Sequence, residues 1–176
     1  VAQVAVESGA LPPGAYQFIA GSTGDLLERL GPQDCLAFTG SSRTAAALRG
    51  NPNLLARSVR VNIEADSLNC AILGPDVDRD AESYGLFLQN VALDVRQKAG
   101  QKCTAVRRVM VPRERIEEVA ADLAAELARV VVGDPAEGTT TMGPLASRAQ
   151  FEDVQAGIRR LAAAARAATG GPERAR

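Results

Sequence analysis

The chain has 176 residues, 46% of them hydrophobic and 23% charged, with a formal net charge of −1. That is enough apolar matter for a packed core, and it offers no electrostatic case for nucleic acid or an anionic membrane. It contains no histidine, which removes Ser-His-Asp and Cys-His hydrolases and most zinc and non-haem iron centres.

The opening segment, Val1 to Gly9, reads as the last turns of a helix ended by glycine. Leu11-Pro12-Pro13-Gly14 is a turn, and Tyr16 to Ile19 is expected to be a short strand. Ser22 or Thr23 is then expected to cap a helix over roughly 24–30. Asp34 to Phe38 reads as an apolar strand, and Thr39-Gly40-Ser41-Ser42 as the turn into a helix running to about Leu48. A strand, a small-residue turn and a helix start make an anion site, since unpaired N–H groups and the helix dipole point the same way. The pattern is not G-x-G-x-x-G, and an ordinary capped βα turn has the same appearance.

Ser58 to Ile63 alternates like a strand and delivers Glu64 to its end. After a loop at 65–69, Cys70 to Leu73 is a short apolar strand closed by Gly74-Pro75. Asp76 or Asp78 is expected to cap a long helix, with Ala81, Tyr84, Leu88, Val91, Ala92 and Val95 on one face. Ala105 to Val111 is the next strand, and Ile116, Val119, Ala120, Leu123, Leu127 and Val130 mark another amphipathic helix. A loop rich in glycine and threonine leads to a last helix bearing Phe151, Val154, Ile158 and Leu161, and residues 169–176 are expected to fray. Strand and helix alternate, which argues an α/β architecture with a mostly parallel sheet.

Three cysteines stand at 35, 70 and 103 with no C-x-x-C pair, so neither a disulfide framework nor a zinc knuckle is expected. Cys35 and Cys70 lie in apolar strands and read as core residues. Cys103 is the candidate nucleophile. It sits in a glycine-opened turn, Lys98 to Arg108, among four cationic side chains. Nearby cations favour the thiolate, the reactive form of cysteine. Arg107 and Arg108 are adjacent on a strand, so at most one faces the site and a solvated role is expected for both. Asp66 and Asn69 either line the site or cap the loop.

Glu7-Ser8-Gly9-Ala10-Leu11-Pro12-Pro13-Gly14, Phe38-Thr39-Gly40-Ser41, Glu64, Gly100-Gln101-Lys102-Cys103, Gly133-Asp134-Pro135 and Gly143-Pro144-Leu145 occur in that order. Together, from about Val4 to Ile158, they resemble the aldehyde dehydrogenase superfamily. The resemblance implies an NAD- or NADP-dependent enzyme that oxidises an aldehyde to the acid. In it Cys103 resembles the nucleophile, with its own N–H donating to the oxyanion, and Glu64 the general base for thioester hydrolysis. Gly40 and Ser41 resemble the helix start against the cofactor pyrophosphate, and Gly21 and Gly24 the glycines of the adenosine-side turn. On this basis Glu64, the backbone N–H groups and the cofactor are better candidates than the cations for tuning the thiol.

Where the common family pattern continues Leu-Gly-Gly-Lys, Glu64 is followed by Ala65-Asp66-Ser67-Leu68-Asn69. That variant is similar to the branch oxidising CoA-linked semialdehydes in phenylacetate or benzoate breakdown. The resemblance divides the chain into a partial dinucleotide-binding, Rossmann-like domain (1–63), a partial α/β catalytic domain (64–168) and a tail (169–176). It implies an internal portion of a longer enzyme, inactive when isolated and homo-oligomeric when complete. A small-molecule aldehyde is the expected partner, with no metal, nucleic acid or membrane, in a cytoplasmic setting: no apolar run approaches the ~20 residues of a bilayer span and no leader is evident. A non-catalytic remnant or interaction module is the alternative.

Overall fold

Parallel strand pairs, each covered by helices, organise both halves of the chain. The computed structural model describes residues 1–171; positions 172–176 of the expected tail lie outside the described residues. Two compact units divide between Asp66 and Ser67, so Glu64 belongs to the last strand of the first unit. No helix among the described residues is long and apolar enough to cross a membrane.

In the first unit, α1 (Ala2–Glu7) is ended by Gly9 in the left-handed region. α2 (Leu26–Arg29) precedes β1 (Cys35–Gly40), and α3 (Ser42–Arg49) and α4 (Pro52–Ala56) carry the chain over to β2 (Arg60–Ala65). β2 runs parallel to β1, with Cys35 beside Arg60 and Gly40 beside Ala65. Ala45, Leu54 and Val59 are buried, and α4 starts as chain chemistry dictates, with Asn51 capping and Pro52 in the first turn. The Asn53 amide donates to the Leu27 and Leu30 carbonyls at 2.7 and 3.1 Å, tying α4 to α2.

Two expectations fail here. Residues 16–19 form no strand, and Phe18 and Ile19 are exposed; β propensity makes a strand only where a neighbouring ladder takes the backbone groups. Neither Ser22 nor Thr23 caps α2. Asp25 stands at its cap with its carboxylate on Arg29 and no side-chain bond to the helix N–H groups, while Ser22 Oγ accepts from the Gly24 N–H in a local turn.

In the second unit, β3 (Asn69–Ile72) pairs in parallel with β4 (Val106–Met110), with an irregularity between Asn69 and Cys70. Between them runs α5 (Glu82–Arg96), followed after β4 by α6 (Ile116–Leu127) and α7 (Arg148–Ala162). The expected face of α5 is the inward one: Tyr84, Leu88, Val91 and Ala92 are buried, and Leu73, Tyr84, Leu88 and Val119 form one apolar cluster. The expected caps are wrong. Helix α5 starts after Ala81 with no side-chain cap, because the preceding segment is spent in turns that close Val77 N–H on Gly74 and Ala81 N–H on Asp78.

Cys35 and Cys70 are exposed, against the expectation of a core role. Strand side chains alternate, and on β1 it is Leu36 and Phe38 that turn inward. On β3, Ala71 is the more covered residue and Cys70 shares the opposite face with exposed Ile72.

At the seam of α5 and α6, Tyr84 donates its hydroxyl to Asp122 at 2.8 Å, and Arg79 donates to the same carboxylate at 2.8 and 3.2 Å. Burial, followed by the Asp122 bond, pushes the Tyr84 hydroxyl up to about 12. Arg115 lies 5.0 Å over the Tyr84 ring and pairs with Glu118 at 2.8 Å. Tyr84→Phe keeps the packing and removes the donor, so chemical denaturation followed by far-UV circular dichroism is expected to show a loss of about 1 kcal/mol.

Candidate active site

The first unit gathers its candidate residues by strand register. Glu64 lies beside Thr39 and Ala65 beside Gly40, so Glu64 and the Gly40–Ser41 turn share the C-terminal edge of the parallel pair. In open parallel sheets ligands bind at that edge. Ser41 caps α3, its Oγ accepting from the Thr44 N–H at 3.2 Å. The Ser42 N–H donates to Asp66 Oδ2 at 3.2 Å, and the Asp66 N–H to the Gly40 carbonyl at 3.2 Å. Asp66, with φ 57°, thus caps the start of α3, which answers the choice between lining and capping for that residue. A Cβ at Gly40 would lie 2.5 Å from the tip of the Phe38 ring, so the ring would have to move to admit one. Gly21 and Gly24 lie in the loop before α2, both at positive φ with open space around them.

The second unit builds the turn around Cys103 from strained backbone. Lys98, Ala99 and Gly100 follow one another in the left-handed region, at φ 52°, 54° and 71°. Two of the three carry a Cβ, and such residues persist there only when their surroundings over-determine them. The surroundings do. Gln101 closes on the Lys98 carbonyl with its backbone N–H at 3.0 Å and its side-chain amide at 2.9 Å. Arg107 donates to the Gly100 carbonyl at 2.9 Å and the Lys102 carbonyl at 3.4 Å.

Asp94, near the end of α5, takes Lys102 Nζ on one oxygen and the Val106 N–H on the other, both at 2.5 Å. Lys102 also donates to Gln97 at 2.6 Å. The pair is mostly covered, with side-chain exposures of 16% for Lys102 and 25% for Asp94. The ammonium, and after it the Val106 N–H, holds the Asp94 carboxyl below the usual carboxylate range. From the other side, Ser67 Oγ donates to the Cys103 carbonyl, and Asn69 Nδ2 donates to the same oxygen at 2.6 Å and to the Ala105 carbonyl at 3.3 Å. Arg108 donates to the Leu68 carbonyl at 2.5 Å. Ala105 is fully buried, whereas Cys103 is exposed.

One expectation is corrected by this arrangement. Arg107 and Arg108 are not simply solvated; both guanidinium groups bind backbone of the turn and its strap. Asn69 is a loop clamp. Lys102 and Arg107, cations that flank the thiol in sequence, are committed to Asp94, Gln97 and carbonyl oxygens. Sequence reading missed Asp94, whose only signal was a carboxylate on the polar side of a helix.

The Gly133-Asp134-Pro135 and Gly143-Pro144-Leu145 loops are one knot. The Gly133 N–H donates to the Met142 carbonyl at 3.1 Å, and a Cβ on Gly143 would meet Pro135 at 3.2 Å. The knot is tied to the cysteine turn through the Ala146 N–H, which donates to Gln101 Oε1 at 2.9 Å.

The Asp94 clamp has a pH signature. Because its folded-state pKa is depressed, its contribution is complete above the ordinary carboxylate value of 3.8 and is lost as pH falls through the lower folded value. Acid titration followed by circular dichroism is expected to show the second unit losing stability below about pH 4. In Asp94→Asn, whose amide cannot carry the charge, that acid dependence is expected to shrink and stability at neutral pH to be lower throughout.

The aldehyde dehydrogenase family model matches residues 1–176. A 3,4-dehydroadipyl-CoA semialdehyde dehydrogenase of Aromatoleum evansii is 42% identical over 156 residues, which is 89% of this chain and 30% of that protein. A geranial dehydrogenase of Castellaniella defragrans is 32% identical, over 97% of this chain and 34% of its own length. Among solved structures, aldehyde dehydrogenase C of Pseudomonas syringae, crystallised with NAD+ and octanal, superposes with a TM-score of 0.81 at 32% identity, covering 97% of this chain and 34% of that one. The chain spans about a third of the length of these relatives. A match that runs the whole length of the chain, on an α/β fold shared with a solved dehydrogenase, makes this chain a member of the aldehyde dehydrogenase family.

Proposed function

We propose that the chain is the central segment of an NAD- or NADP-dependent aldehyde dehydrogenase that works through Cys103 and Glu64. The observation that carries this reading is the turn at Cys103: an exposed thiol on backbone held in left-handed strain and tied down by side chains from α5, β3 and β4. A nucleophile needs that combination of access and fixed direction.

Cys103 Sγ, as thiolate, adds to the aldehyde carbon while the carbonyl pair moves to oxygen, where the Cys103 N–H donates to it. When bound, the nicotinamide would supply the two-electron oxidant, as acceptor for the hydride of that carbon. The carbonyl re-forms as a thioester on Cys103. Glu64 takes a proton from water as the water oxygen attacks the thioester carbon; the C–S bond breaks, the acid departs and Sγ leaves as thiolate.

Gly40 and Ser41 would hold the cofactor diphosphate, and Gly21 and Gly24 the turn on its adenosine side. The donor set fits an anion: Ser42 N–H at the start of α3 already takes a carboxylate oxygen, and Gly40 offers no Cβ to an approaching group. The substrate class we favour is a CoA-linked semialdehyde of aromatic-acid catabolism, supported by the 42% identity to the Aromatoleum enzyme and by Glu64-Ala65-Asp66-Ser67-Leu68-Asn69 in place of the common pattern. A cytoplasmic homo-oligomer completes the proposal.

In the full-length polypeptide carrying this segment, Cys103→Ala is expected to abolish aldehyde-dependent NAD(P)H formation. Glu64→Gln is expected to keep a single-turnover burst of NAD(P)H while steady-state turnover falls about 100-fold or more. Unchanged turnover in the Glu64 variant would remove it as the base. The 176-residue chain by itself is expected to form no NAD(P)H from an aldehyde in a spectrophotometric assay.

A further inference from the structure

The contacts that hold Cys103 differ in kind. Those around Lys102 are ionic and lie one residue away, whereas two neutral donors, Ser67 Oγ and Asn69 Nδ2, converge on the Cys103 carbonyl oxygen itself. Both come from the segment that leads into β3, and Arg108 fastens the residue between them by donating to the Leu68 carbonyl at 2.5 Å. Asn69 also reaches the Ala105 carbonyl at 3.3 Å, so the amide spans the turn on both sides of Thr104.

We propose that Ser67 and Asn69 are positioning residues for the Cys103 thiol, acting through the peptide that joins Cys103 to Thr104. The inference rests on the reading of Cys103 as nucleophile. A trans peptide is planar, so fixing its carbonyl oxygen fixes the opposite direction of the Thr104 N–H. Two donors on the oxygen also draw off part of its negative charge and keep that end of the dipole turned toward β3. Freed, the peptide turns and brings a partial negative charge nearer Sγ, which disfavours the thiolate. An amide and a hydroxyl do this without titrating, so the direction of the thiol is independent of pH over the working range.

The chain carries its own controls. Cys35 and Cys70 are also exposed free thiols, and Cys70 directly follows Asn69 on β3. Alkylation of each cysteine by iodoacetamide is followed by peptide mass spectrometry from about pH 6 to about pH 10, the range in which a thiol titrates. In Asn69→Ala and Ser67→Ala, the Cys103 rate at neutral pH is expected to fall about fivefold, with its pH profile moved upward. Cys35 and Cys70 keep their wild-type profiles, and Ser67→Thr, which retains the hydroxyl, restores that of Cys103. An unchanged Cys103 profile in the alanine variants overturns the proposal, as does a shift of Cys70 together with Cys103, which marks a general loosening of β3. Should circular dichroism show Asn69→Ala unfolded, Ser67→Ala and Ser67→Thr decide. The measurement needs no turnover, so its failure is separate from failure of the nucleophile assignment, which Cys103→Ala tests in the full-length enzyme.

Discussion

The Asp94 carboxylate joins three pieces of chain: the end of a helix, the turn that bears the thiol, and the first N–H of the strand beyond it. Each oxygen has one strong donor, and both donors lie within the turn or at its exit. A carboxylate so placed has little freedom, and neither has the backbone between its two partners. Left-handed conformations at Lys98 and Ala99 are tolerated because this bridge, the Gln101 closure and the Arg107 bonds oppose their relaxation. The cost is local. The repayment comes from Asp94, Gln101 and Arg107 nearby in sequence, and from Ser67 and Asn69 on the strand-entry segment.

A different rule governs the first unit. Parallel strands need a crossover, and the crossover here leaves β1 through Gly40 and Ser41 into α3 before returning along β2. Register then sets Glu64 next to Thr39 whatever the helices do. The small residues of the turn and the carboxylate of β2 therefore meet at one edge as a result of topology. Asp66, one step past the strand, turns back through a left-handed conformation to satisfy the Ser42 N–H.

What the sequence made legible follows from the range of the signal. Periodicity is a property of consecutive residues, so the buried face of α5, the β1–α3 turn, and the alternation of strand and helix could all be read directly. Face assignment on short strands could not, because an apolar strand shows nothing of which side its neighbour covers; Cys35 and Cys70 were read inward and point outward. Caps failed at α2 and α5 where acidic or hydroxyl residues were spent in turns just before the helix. Tyr16 to Ile19 had the composition of a strand and no ladder to join. The clamps on the cysteine turn were the least visible part. Asp94 reaches across to Lys102, and Ser67 and Asn69 reach Cys103 over a separation in sequence that no local pattern records.

The contacts of this turn differ in kind with the residue they hold. The Lys102–Asp94 ion pair and the guanidinium-to-carbonyl bonds of Arg107 and Arg108 hold neighbouring residues, while the Cys103 carbonyl is given a hydroxyl and an amide. An ion beside the sulfur would bind the thiolate more strongly, but thiolates that are too well stabilised lose nucleophilicity as their pKa falls. Neutral donors acting on the carbonyl orient the group while perturbing the sulfur only through a dipole. The outer ionic layer responds to acid through Asp94, whereas the inner layer has no proton to gain.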